Sequence, residues 1–333
     1  MRISTSLGLC ALALVLIGCN SSKESSSGSG SSSTAKLEIA VIPKGSTHEY
    51  WKSVHEGAEK AATELGNVDI DWKGPEIENQ KDAQIKVVED FVTKGVKGIV
   101  LAPLDDHALE APVEAAAKAG IPVVIIDSGV QGNGYISFIA TDNYKGGQMA
   151  GDELAKELNG KGKVVMLRYE VGSASTDARE KGFMDEMAKN PGIQVVSSDQ
   201  YGDATVESAQ NKAENMLAPH KKGDSLDIDG IYTPNESTTY GMLRTLQSMG
   251  VAGKVHFVGF DASPALIDAV NGGFINAVVV QNPRKMGYLG VKAIVDKING
   301  KTVDAKVDTG ATLVTKANLT DPTIQELIAP PKD

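Results

Sequence analysis

Gly98-Ile99-Val100-Leu101-Ala102-Pro103-Leu104-Asp105 leads through a helical segment to Val123-Val124-Ile125-Ile126-Asp127, and the phrase returns downstream. There Gly230-Ile231-Tyr232-Thr233-Pro234-Asn235-Glu236 leads through another helical segment to Val255-His256-Phe257-Val258-Gly259-Phe260-Asp261. Each copy reads as strand, short polar loop, helix, and strand ending in Asp. Ligands of open parallel sheets bind at the carboxyl ends of the strands. A duplicated phrase therefore implies two domains that each present polar side chains at such an edge, and the economical arrangement is one cleft between facing edges.

The surrounding sequence has the same grammar. Leu37 to Pro43 is nearly all apolar, as a strand covered on both faces would be. Val54, Ala58, Ala61, Ala62 and Leu65 follow on helical spacing and Gly66 is placed to stop the helix. Val68 to Asp71 reads as a strand, and Lys81 to Lys94 as a helix with Ile85, Val88 and Val92 inward. Strands at Ile136–Ala140, Val164–Leu167, Ile193–Ser197 and Phe274–Val280 alternate with helices at Gly146–Leu158, Thr176–Ala188, Val206–Leu217 and Met286–Ile298. This is the pattern of α/β domains with helices on both faces of parallel sheets, and 333 residues suit two of them.

The start of the chain belongs to neither domain. Met1-Arg2 is a short basic start, and the apolar run Leu7 to Ile17 is too short to span a bilayer as a helix. Leu16-Ile17-Gly18-Cys19 closes it and resembles the lipobox of bacterial lipoproteins, so residues 1–18 are expected to be a signal peptide and Cys19 the lipidated first residue. Of the two cysteines Cys10 would be discarded, leaving no intramolecular disulfide. Residues 19–35, mostly Ser and Gly, read as a flexible tether. A formal charge of -10 argues against nucleic acid, which needs a basic footprint. No metal-ligand spacing, GxSxG elbow, P-loop or GxGxxG between strand and helix is present, so neither metal nor cofactor is expected.

Several phrases in combination resemble the ribose-binding-protein group of periplasmic sugar receptors: Ile39-Ala40-Val41-Ile42-Pro43 with Tyr50-Trp51 and Gly57-Ala58, Ile139-Ala140-Thr141-Asp142-Asn143 with Gly146-Gly147, Arg179-Glu180-Lys181-Gly182-Phe183, Val258-Gly259-Phe260-Asp261, and Gln281. The likeness covers about residues 36 to 316. It extends to the ligand domains of LacI-type repressors, but those carry a DNA-binding headpiece where this chain has an export signal. The resemblance implies a type I periplasmic binding protein, with two doubly wound lobes joined by three crossovers near Thr141, Gln281 and Gly310. The lobes would comprise residues 36–141 plus 282–310 and residues 142–281 plus 311–333. It further implies a monomer that closes on a sugar and delivers it to a membrane permease of the ABC type.

A sugar offers apolar ring faces and a belt of hydroxyls, which call for aromatic plates and for polar groups that use both donor and acceptor functions. Tyr50 and Trp51 stand where the family stacks rings, with core packing as the plain alternative for Trp51; Trp72 is read as structural. Asp127 and Asp261 match family carboxylates that accept from sugar hydroxyls, although either alone would serve as well to cap a helix. Asn235 carries the same alternative, Gln281 sits at a crossover, and Arg179 is evenly balanced between ligand contact and a helix ion pair. Thr141, Ser175 and Phe260 complete the expected site.

Departures bear on the ligand. Ribose receptors have Ser and Asn where this chain has Lys44 and His48, and a Lys directly after Ile-Pro resembles the autoinducer-binding and rhamnose-binding members. The second lobe's stacking aromatic is replaced by Ala204, with Tyr201 and Asp203 nearby as substitutes. Ribose itself is disfavoured. Lys44 could meet a sugar acid or phosphate, donate to neutral hydroxyls balanced by Asp127 and Asp261, or stay solvated. A sensory subunit presenting its ligand to a chemoreceptor or sensor kinase would have an identical site. An exported sugar-acting enzyme would use Asp127 and Asp261 as acid and base, but no nucleophile motif accompanies them and no catalytic residue is expected.

Overall fold

The computed structural model describes residues 36–331. The expected signal peptide, tether, Cys10 and lipidated Cys19 lie outside the described residues. From Leu37 the chain lays down β1 (Leu37–Ile42), α1 (Glu49–Leu65), β2 (Val68–Trp72), α2 (Lys81–Lys94), β3 (Gly98–Leu101), α3 (Glu110–Lys118), β4 (Val123–Ile126) and β5 (Ser137–Ala140). It then crosses to build α4 (Asn143–Glu157), β6 (Lys161–Arg168), α5 (Ala174–Met187), β7 (Gly192–Tyr201) and α6 (Val206–Leu217). A small hairpin, β8 (Lys221–Lys222) and β9 (Ser225–Leu226), precedes β10 (Gly230–Tyr232), α7 (Glu236–Ser248), β11 (His256–Phe260), α8 (Pro264–Gly272) and β12 (Ala277–Gln281). A second crossing supplies α9 (Pro283–Ile298) and β13 (Lys306–Asp308), and a third supplies β14 (Ala311–Thr315) and α10 (Pro322–Ile328).

Two six-stranded sheets result, ordered β13-β5-β4-β3-β1-β2 and β14-β12-β11-β10-β6-β7. All ladders in the first are parallel, and in the second only β14 runs antiparallel, against β12. The unbroken apolar runs are explained by the two-residue period of a strand. Ile39, Val41, Val100, Val124 and Ile126 face one core, under α1 and α9; Ala40, Ile42, Ile99, Leu101, Val123 and Ile125 face the other, under α2 and α3. Each such side chain is fully buried and contributes roughly 1.5–3 kcal/mol where large. The second sheet repeats the plan, with Val165, Leu167, Ile231 and Phe257 on one face and Val164, Met166, Tyr232, Val258 and Phe260 on the other.

Glycine sets the depth of the helices that carry the cleft loops. A Cβ on Gly57 would lie 2.0 Å from the Arg284 carbonyl oxygen, and one on Gly287 2.0 Å from that of Val54, so α1 and α9 touch backbone to backbone. Gly147 and Gly182 do the same for α4 and α5, at 1.9 Å from Arg179 O and 2.1 Å from Tyr144 O. These contacts lock α1 to α9 and α4 to α5.

Local differences from the sequence reading have local causes. The inner face of α2 is Gln84, Val87, Val88 and Phe91, with Ile85 and Val92 only partly covered. Gln84 turns inward because its amide donates to Pro43 O and Ala102 O, both at 2.9 Å, and accepts from Leu104 N at 2.8 Å, tying together the loops after β1 and β3. The strand expected from Phe274 begins at Ala277, since Gly273 is the left-handed cap of α8 and the turn uses the intervening residues. The helix expected from Gly146 begins at Asn143, capped by Asp142 accepting from Lys145 N. Short or exposed elements, namely the 221–226 hairpin, β13, β14 and α10, carried no periodic signal.

Candidate ligand-binding site

The twin strand ends identified from sequence are equivalent in conformation as well. Asp127 and Asp261 both have positive φ, 62° and 69°, a left-handed region that costs most L residues about 1–2 kcal/mol and that Asp tolerates better than most. Each backbone N–H donates to the neighbouring strand, Asp127 to Ile139 O at 3.2 Å and Asp261 to Val279 O at 2.8 Å. The backbone turns sharply at the sheet edge and leaves both carboxylates buried in one small cavity, of about 30 Å3, between the two edges.

On the first sheet's side, Lys44 follows β1 and its ammonium donates to Ser173 Oγ at 3.1 Å and Ser175 Oγ at 3.2 Å, both from the opposite lobe, while lying 3.5 Å from Asp127 Oδ2. Tyr50 donates its hydroxyl to Asp127 Oδ1 at 2.8 Å. Trp51 packs edge-on against Tyr50, with centroids 4.9 Å apart, and its indole N–H donates to Glu78 Oε1 at 2.7 Å. Trp51 is at once part of the core under β1 and a wall of the cavity, so both readings of it hold. Trp72 stacks on His55, centroids 4.4 Å apart, outside the site.

The second sheet answers with Arg179, which is 2% exposed and donates through Nε to Asn143 Oδ1 at 2.8 Å and through a terminal nitrogen to Pro234 O at 2.9 Å. It has no ion pair along its helix; the guanidinium lies 4.0 Å over the Phe260 ring and lines the cavity. Asn235 caps α7, accepting from Thr238 N at 3.3 Å and donating to Ser237 Oγ at 3.2 Å, yet it also lines the cavity. Asp261 accepts from Gln281 Nε2 at 2.7 Å and from Glu236 N at 3.0 Å. The other amide atom of Gln281, Oε1, is buried without a hydrogen-bond partner among the described residues.

Ten of the thirteen expected ligand residues therefore line one cavity: Lys44, His48, Tyr50, Trp51, Asp127, Ser175, Arg179, Asn235, Asp261 and Gln281. Three do not. Thr141 turns its hydroxyl to Gly310 O, 3.2 Å away, and belongs to a crossover. Tyr201 lies at the end of the edge strand β7, where the Arg168 guanidinium covers its ring at 4.6 Å. Phe260 is the last residue of β11 and packs into the core with Met166, Tyr232 and Val258, where its ring supports the Arg179 guanidinium. Asp203 likewise accepts from Asn79 at 3.0 Å rather than lining the cavity.

The structure adds Glu78, Tyr169, Thr176 and Glu236. Glu78 is the hub: its carboxylate is in close contact with His48 and accepts from Trp51 and, across the cleft, from the Tyr169 hydroxyl at 2.7 Å. Burial pulls the His48 imidazole down, but the adjacent Glu78 carboxylate outweighs this and holds it protonated. The reverse holds for Glu78: burial pushes it up and His48 overrides, keeping it below the ordinary carboxylate range. Burial pushes Glu236 up to about 7 and raises Asp261 as well.

Three basic groups (Lys44, His48, Arg179) thus meet four acidic ones (Glu78, Asp127, Glu236, Asp261) around the cavity. Lys44 and His48 each stand beside a carboxylate, whereas Arg179 is held by neutral acceptors. A wider groove, about 860 Å3, is lined by α1, α9 and α10, but none of the expected site residues line it. Among the described residues no cluster of His, Cys, Asp and Glu is disposed to hold a metal, and no helix is long and apolar enough to cross a membrane.

Residues 39–302 match the family model described as a periplasmic binding protein domain. The ribose import binding protein of Escherichia coli strain K12 is 30% identical over 283 residues, spanning 85% of this chain and 92% of that protein. The D-allose-binding periplasmic protein of the same organism is 31% identical over 278 residues, 81% of this chain and 87% of the relative. Among solved structures, a carbohydrate transporter solute-binding protein from Agrobacterium radiobacter in complex with D-arabinose superposes with a TM-score of 0.84 at 34% identity, covering 89% of this chain and all of that one. An ABC transporter solute-binding protein from Agrobacterium vitis with bound D-fucose gives 0.83 at 34%, covering 87% and 99%. With the two-sheet architecture, the three crossings and a cavity at facing strand ends already in hand, the chain belongs to the periplasmic binding protein family.

Proposed function

We propose that the protein captures one neutral monosaccharide or closely related polyol in the cleft cavity and hands it to an ABC importer, breaking no bond. The observation that carries this reading is the shared cavity itself, to which both sheets contribute buried hydrogen-bonding groups of both charge signs. A hydroxyl is donor and acceptor at once, so it matches walls that alternate carboxylates with cationic donors, and it can donate to the unpartnered Gln281 Oε1. An acid or phosphate would have to displace a carboxylate from Lys44 or His48, or a neutral acceptor from Arg179. Tyr50 and Trp51 supply the apolar plate, while Lys44, Asp127, Arg179, Asn235, Asp261 and Gln281 carry the hydroxyl contacts. Relatives bound to D-arabinose and D-fucose support a small neutral sugar.

The moving bodies are residues 36–141 plus 282–310 and residues 142–281 plus 311–333, hinged at the three crossings. Ligand contacts made by both lobes at once favour the closed state by the difference in affinity between closed and open forms. The protein works as a monomer on the extracytoplasmic side, held to a membrane by lipid on Cys19. Thermal denaturation in the presence of pentoses, hexoses, polyols and the matching sugar acids tests the reading: a neutral sugar raises the midpoint in a concentration-dependent way. No shift with any neutral compound, or a larger shift with an acid, would contradict it.

A further inference from the structure

Glu236 stands apart from the other polar groups of the cavity, because both of its carboxylate oxygens are taken by backbone amides of the opposite lobe. Oε1 accepts from Glu49 N at 3.3 Å and Oε2 from Tyr50 N at 3.2 Å. Those two amides open α1, and the residue that should cap them, His48, makes no side-chain cap because its imidazole is held by Glu78. The first N–H groups of a helix have no partner within it and carry partial positive charge. The cap of α1 is therefore supplied from the other lobe. Glu236 is aimed by its own lobe, since its backbone N–H is fixed by Asp261 Oδ2 at 3.0 Å, and it is 9% exposed. A contact between residues 186 positions apart in sequence, bridging the two sheets' edges, exists only while the lobes are together.

We infer that Glu236 is an interlobe latch: it holds the lobes closed by capping α1 directly rather than through the ligand, and opening the cleft breaks both hydrogen bonds at once. This rests on the proposed two-lobe capture, but its consequence is visible without any sugar. Part of the closing free energy is built into the protein, so some closed form is populated in the free state and the apparent affinity rises with that fraction. Glu236 is accordingly a positioning residue. It sets the ease of closure, while the groups with free valence, such as Gln281, choose the ligand.

The test is amide hydrogen exchange on the whole ligand-free chain, read at Glu49 and Tyr50, for wild type, Glu236→Ala and Glu49→Pro. Proline is well accepted at the first position of a helix and removes one latch donor without costing α1 a bond of its own. The extended backbone of His48 (φ -94°, ψ 145°) suits a residue preceding proline. Glu236→Ala should speed exchange at both amides about tenfold, and Glu49→Pro should speed it at Tyr50. Sugar Kd should rise about tenfold in Glu236→Ala, equivalent to ~1.4 kcal/mol, and the double variant should lose less than the sum of the singles. Unchanged exchange in Glu236→Ala, unchanged Kd, or a Glu49→Pro protein in which Tyr50 exchanges as in wild type would overturn the latch. A wild type that protects these amides but binds no sugar would refute the proposed function and leave the latch standing.

Discussion

Asp127 and Asp261 show how one residue type meets two demands, a left-handed backbone and a buried acceptor. The demands can be separated experimentally. Asp261→Ala and Asp261→Gly both lose the bonds to Gln281 and Glu236 N, but only glycine adopts φ 69° without strain. The alanine variant should therefore be the less stable by about 1 kcal/mol in urea denaturation; equal stability would show that the backbone angle costs nothing there. The same residues mark what sequence could and could not deliver. A strand-end Asp repeated in two copies is visible as text, whereas Phe260 and Thr141, next to visible landmarks, turn into the core or toward a crossover. Glu78 lies between β2 and α2 with no periodicity to flag it, and Glu236 is indistinguishable on paper from an ordinary acid in a helix's first turn.

Among elements, the parallel strands were legible because both faces are covered, which leaves unbroken apolar runs, and the long helices because one stripe is buried. Elements of two to five residues at edges or crossings, such as β13 and β14, have too few side chains to show a period. What no propensity reveals is depth of packing. The α4–α5 contact leaves no room for a methyl group, since a Cβ on Gly147 would stand 1.9 Å from a backbone oxygen. Gly147→Ala should cost about 3 kcal/mol and, because it pushes on the turn of α5 that carries Arg179, should weaken ligand binding as well. An alanine variant with wild-type melting temperature and affinity would show that the helices can separate freely.

For the molecule as a whole, protonation is the legible global variable. Burial lifts Glu180 and Glu236 to about 7 and Glu170 to about 8, from an ordinary 4.5, and His48 is held above its ordinary 6.5 by Glu78 despite its burial. In all four the folded protein binds protons more tightly than the unfolded chain. Their contribution is complete below the unfolded values and is lost as pH rises through the folded ones. Glu78, held low, gives stability that disappears only as pH falls below about 4.5. Stability should therefore peak near pH 5 and decline toward pH 9, seen as a falling urea midpoint; a midpoint at pH 9 equal to or above that at pH 5 would contradict these assignments.

Capture between two lobes requires that neither lobe suffice, and calorimetric titration with the neutral sugar that most raises the melting temperature examines this in wild type, Asp127→Ala and Asp261→Ala. One saturable site is expected in wild type, and roughly a hundredfold weaker binding in each variant, the loss expected for a buried charged hydrogen bond, although the two residues stand on opposite sheets. Wild-type affinity in either variant would contradict the shared site.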